Sequence, residues 1–244
     1  MVPRRKGNET AASASSAPGR ERWRWPRLPR LAWPDRAALL VIAAYTVVLI
    51  VLAARLSPDR FEYVFSEEGP FEEGAILLWL AASLIVILRA RPFTSRSAIF
   101  VILFAAFAAR EASWHKAFTT DSFLKISYYL KAPAPLAEKV LAGLAAAAFI
   151  AMLLYAAYVV VRFLLVDGGI SSRAGYWVIF AGALFVLAKV VDRTPSVLYD
   201  YTGHDLHIDL RRLMLAFEEG FEALTPALFA LSAWVSRSDR PYLS

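Results

Sequence analysis

Long apolar runs, each closed by a cluster of charge, set the rhythm of this chain. Six such runs lie at roughly 37–56, 74–90, 97–117, 140–166, 174–193 and 212–236. Each is close to the ~20 residues that an α-helix needs to cross a hydrocarbon core of ~30 Å. The pattern predicts an all-α, polytopic membrane protein, with a six-helix transmembrane bundle over residues 37–236. A disordered basic arm, 1–36, would precede it and a short tail, 237–244, would follow. The first run is too long, and too far from the start, to read as a cleaved signal peptide.

The links between the runs differ in character. Those at 89–96 and 162–173 are short and basic. The other three, "SPDRFEYVFSEEGPFEE", "TTDSFLKISYYLKAPAPLAEK" and "TPSVLYDYTGHDLHID", are longer and more polar. In the middle one, Asp121 or Ser122 is a candidate cap for a short surface helix with Phe123, Ile126 and Leu130 on one face. Tyr128 and Tyr129 suit an interfacial position there, and Pro133 and Pro135 end the helix. The arm carries "RERWRWPRLPRLAWP", whose prolines prevent a continuous helix. Its Arg and Trp residues suit an anionic lipid surface, so membrane lipids and their acidic headgroups are the expected partners.

Composition agrees: hydrophobic residues make up 58% of the 244 positions, far above an ordinary soluble domain. Without cysteine, disulfides, thiolate metal sites and cysteine nucleophiles are excluded. The net charge of +6 points to nucleic acid only until charge is divided between the two sides. The arm, the two short links and the tail hold sixteen basic and five acidic residues. The remainder holds eleven basic and sixteen acidic residues and all three histidines. Lys and Arg in short loops mark the cytoplasmic side, so both termini are expected inside and no nucleic-acid partner is implied.

Ionisable residues gather toward the opposite, external ends of the runs. Glu72 and Glu73 open the second; Arg110, Glu111 and His115 close the third; Lys189, Asp192 and Arg193 close the fifth; Glu218, Glu219 and Glu222 lie within the sixth. At ~1.5 Å per residue, Glu222 sits ~21 Å from the inner end of its helix. Charge at that depth costs a few kcal/mol unless it meets a partner or water, and so marks a functional candidate. Helical spacing puts Glu111 with His115, and Glu218 with Glu222, on common faces. Those seven acids face Arg110, Lys189 and Arg193, a surplus of about four negative charges. Protons, water or a bound cation must absorb it. Carboxylate with imidazole suits a divalent metal such as zinc, iron or manganese, with Glu111, His115 and Glu218 as candidate ligands. Glu222 is then a candidate general base, and Arg110 or Lys189 would stabilise an anionic group. No Gly-rich phosphate loop, Gly-x-Ser-x-Gly or His-Glu-x-x-His is present.

"EEGPFEEGAILLWL", followed one run later by "REASWHK", resembles a broad group of bacterial multi-spanning membrane proteins over about residues 61–118. That resemblance implies a bacterial cytoplasmic membrane and brings no activity with it. Carboxylates and histidines at one membrane face are also similar to the CREST membrane hydrolases, which include alkaline ceramidases. This chain departs from them in having six runs rather than seven and no helix-borne His-x-x-x-His, so no residue role carries over. The expectation is a metal-dependent hydrolase or transferase for a lipid-like substrate. The alternatives are a proton- or cation-coupled carrier and a non-catalytic assembly or sensory subunit; the oligomeric state is left open.

Overall fold

The structure, a computed structural model, describes residues 29, 31–66, 69–114, 119, 122–236 and 242–243. Most of the basic arm, and His115, lie outside the described residues. Within them the chain is all α, with eight helices. In chain order these are α1 (Trp33–Arg55), α2 (Pro58–Val64), α3 (Pro70–Arg89), α4 (Ser95–Glu111), α5 (Ile126–Lys131), α6 (Leu136–Leu165), α7 (Arg173–Thr202) and α8 (Ile208–Ser236). A 3₁₀ turn over Gly169–Ser171 leads into α7. Four helices, α1, α3, α6 and α7, are long and apolar enough to cross a membrane. The other two of the six runs became α4, with 17 residues, and α8, whose middle carries three glutamates.

Local chemistry explains where these helices begin. Proline opens the first turns of α1, α2 and α3, where its missing N–H costs nothing. In α1 the Asp35 carboxylate accepts the Ala32 N–H at 2.7 Å, so the helix starts at Trp33, inside the stretch expected to be part of the arm. Thr94 caps α4 by accepting from Ser97 N–H, and Ser172 caps α7 by accepting from Gly175 N–H.

α8 is the central helix, packed against α7, α3 and α1. Small residues allow it: Ala216, Ala223, Ala230 and Ala233 are buried along its length. At Gly220 a Cβ would stand 2.4 Å from Leu49 Cδ1, so this glycine is the notch into which α1 packs. Beside it Tyr45 Oη donates to the Gly220 carbonyl at 2.8 Å. Covered on three sides by protein, α8 does not need the uniformly apolar surface of a lipid-facing helix.

The bundle is tied firmly at the end where α1 begins. Asp35, 1% exposed, accepts from Arg173 Nε at 2.7 Å and Nη2 at 2.9 Å, and from Trp177 Nε1 at 2.9 Å. Arg89 stacks over Trp234 and donates to its carbonyl near the C-terminus of α8. The Tyr242 ring is buried there too, stacked on Phe163 with centroids 4.8 Å apart and its hydroxyl 3.0 Å from Ser232 Oγ. α6 follows the same bias. Ala156, Val159 and Phe163 bury its C-terminal half, whereas in its N-terminal half only Ala142 is buried. That half stands off from its neighbours and leaves space beside α4 and α7.

α5 sits differently from the amphipathic reading. Its buried residue is Tyr128, which donates to Glu138 Oε1 at 2.8 Å, while Ile126 and Leu130 are exposed. A polar tether to α6 proved stronger than burial of the apolar pair, whose face is left open to its surroundings.

Candidate functional site

The space beside α6 is a cavity of about 700 Å³. Glu72 reaches it from α3, Arg110 and Glu111 from α4, Lys189 and Arg193 from α7, and Glu218, Glu219 and Glu222 from α8. Ser113, Ser122 and Lys125, around the start of α5, complete the polar lining. Residues up to 150 positions apart in sequence, such as Glu72 and Glu222, thus meet at one site.

Its floor is aromatic. Phe107 and Phe185 stand one helical turn below Glu111 and Lys189, at the i−4 positions. Phe107 lies 5.7 Å from Phe149 and 6.2 Å from Phe185, centroid to centroid. Trp79 stacks against the other side of Phe107 at 4.6 Å and continues the aromatic layer into the core.

Pairing within the cavity differs from what spacing suggests. Lys189 reaches across to Glu222 on α8 rather than to its own neighbours, and the two form an ion pair and hydrogen bond. Arg110 lies 3.7 Å from Glu111, the next residue. Arg193 lies 3.5 Å from Asp192. Among the described residues Glu218 and Glu219 form no ion pair. Asp192 and Glu222 neighbour Glu218, and Glu72, Glu111, Glu218 and Glu222 surround Glu219.

These positions shrink the charge surplus. Glu73 is exposed and off the cavity, Asp192 sits beside Arg193, and Lys125 adds a cation. With Arg193 set against Asp192, five carboxylates and three cations remain, a formal excess of two negative charges rather than four. The described residues nevertheless supply no donor set for a divalent ion: no three of their His, Asp or Glu side chains group closely enough to hold a metal. The proposed ligands Glu111 and Glu218 do line the same cavity. His115, the third proposed ligand, lies outside the described residues; α4 ends at Glu111, and Ser113 turns through φ +54°.

The histidine cluster of the last long link lies elsewhere. His204 Nδ1 is 2.6 Å from the Thr202 carbonyl, and His207 is 3.4 Å from the Asp209 carboxylate; both rings are exposed and satisfied locally.

Sequence reading missed a second compartment. An apolar slot of about 320 Å³ lies between α4 and α6, lined by Ala106, Ala109, Ala145, Met152 and Trp114. It shares Arg110, Leu124 and Phe149 with the charged cavity, so the two adjoin. The small residues at 106, 109 and 145 were its only trace in the sequence.

The chain matches no protein-family model, and no curated protein or solved structure is significantly similar to it. The functional reading therefore rests on the site itself.

Proposed function

We propose that this is a six-span membrane protein, α4 and α8 being the spans beyond the four apolar ones, with both termini cytoplasmic and the cavity near the external face. Helix length supports this: the 17 residues of α4 span ~26 Å. The excess of Lys and Arg at the Asp35 end supports the orientation. The lack of cysteine makes the test simple. With Asp205→Cys, a membrane-impermeant maleimide should label intact cells; with Arg91→Cys, labelling should require permeabilisation. The reverse pattern refutes the orientation.

Within that frame the protein acts as a hydrolase or transferase on the polar head of a lipid-like substrate. The observation carrying this reading is the juxtaposition of a cavity bearing both signs of charge and an apolar slot, an arrangement that suits one amphiphile. Glu219, surrounded by carboxylates and without an ion pair among the described residues, takes the proton of the attacking water or alcohol. Glu219 then returns that proton to the leaving oxygen, and Arg110 faces the charge that develops on the reacting centre. Glu222, held by Lys189, positions that lysine rather than serving as the base. No step is routed through a metal, since the described donors do not fit one. Elemental analysis of the purified protein tests this: one zinc, iron or manganese per chain would restore the metal reading. The aromatic floor favours a reaction site over a conduit, because a carrier needs a polar path onward.

The activity test uses full-length protein in vesicles of total bacterial lipid, with lipid composition followed by mass spectrometry. Wild type should convert one lipid species, and Glu219→Gln should lose that conversion while melting normally. Equal conversion by Glu219→Gln, or no change in any lipid, refutes the reading.

A further inference from the structure

The compartments differ in what they lack. The slot between α4 and α6 offers almost no polar surface, with Ala109 and Met152 on opposite walls. At its junction with the cavity stands Arg110, whose 3.7 Å approach to Glu111 is an ion pair too long for a hydrogen bond. Its guanidinium thus keeps donors in the fork geometry that suits a phosphate. On α8 come Glu218, hydrogen-bonded to Asp192 and acted on by Lys189, and Glu219, which forms no ion pair among the described residues.

We infer that the cavity selects a lipid whose headgroup carries a phosphate and, beyond it, a primary ammonium. An acyl chain lies in the slot, the phosphate meets Arg110, and the ammonium reaches Glu218, next to the base Glu219. This rests on the reading of the cavity as a lipid-headgroup site and adds the substrate class. Charge complementarity carries it. The phosphate faces a cation and the ammonium faces the carboxylates of α8, which accept N–H donors that a primary ammonium supplies and a quaternary one does not. A lipid with only an anionic head would set its charge against these carboxylates.

The experiment is native mass spectrometry of full-length protein from nanodiscs containing equal parts phosphatidylethanolamine, phosphatidylcholine and phosphatidylglycerol of the same acyl chains. The ethanolamine lipid should be retained about tenfold over the choline lipid, the effect of one or two charge-assisted hydrogen bonds. Glu218→Gln/Glu219→Gln, close in shape to wild type, should remove that preference while the protein still holds lipid and keeps its melting temperature. Ala109→Leu, which fills the slot, should reduce retention of all three lipids. Equal retention of the three, or preference for phosphatidylglycerol, overturns the headgroup assignment and leaves the lipid site standing if Ala109→Leu still lowers retention. Retention insensitive to both variants overturns the headgroup assignment and the lipid site together.

Discussion

Lys189 and Glu222 offer the sharpest test of how the site is built. Lys189→Met removes the one cation among the described residues that bonds Glu222 and leaves the carboxylate in a bundle interior. The Lys189 side chain is 36% exposed and that of Glu222 18%, so the pair falls between two regimes. Surface pairs contribute up to about 1 kcal/mol, and breaking a buried pair costs about 3–5 kcal/mol. Partial exposure puts the single substitution near ~2 kcal/mol. For a chain of this size that is a fall of about 4–8 °C in Tm. Glu222→Gln, which leaves a more readily hydrated lysine, should cost less. The double variant Lys189→Met/Glu222→Gln removes the stranded charge and should recover most of the loss. The assay is thermal unfolding of the detergent-purified protein, followed by tryptophan fluorescence for all four proteins of the cycle. Additive losses, with the double variant the least stable, would show that the two side chains do not act as a pair. A Glu222→Gln variant of normal Tm and no activity would instead make Glu222 the reacting base.

Other positions give equally direct outcomes. Asp35→Ala strips Arg173 of a two-bond partner and orphans Trp177 Nε1, so a loss of ~3 kcal/mol or more is expected, read as lower Tm and lower membrane yield. Asp35→Asn, which keeps an acceptor, should lose less. Gly220→Ala drives a methyl into Leu49 and should destabilise by about 1–3 kcal/mol. Adding Leu49→Ala should restore part of that loss in the same melt, and failure to do so would refute the notch. Tyr242→Ala removes the ring packed on Phe163 and should lower stability by about 3 kcal/mol without changing lipid conversion at the far cavity.

Much of the site was legible because depth leaves a mark on sequence. Charges inside apolar runs are rare, and Glu72, Arg110, Glu111, Lys189, Glu218 and Glu222 all line one cavity. What periodicity did not reveal was choice of partner. Spacing along one helix ranks neighbours on that helix, whereas Lys189 bonds across to α8. Asp35 was read as part of a basic arm, although Trp33 and Pro34 before it are a helix-start signal; its burial depends on Arg173, 138 positions away. The end of α4 was equally hidden, since nothing in "REASWHK" announces that Ser113 turns to positive φ. The slot escaped because alanines on two helices read as ordinary packing until the helices are seen to part.

The pairing of the first long helix with the last has a consequence for biogenesis. α1 leaves the ribosome long before its packing partner α8, and the partner of Asp35 arrives only with α7. Closure of the bundle is thus deferred until α8 has been made, and a ribosome stalled before Ile208 would leave behind a set of helices without their centre.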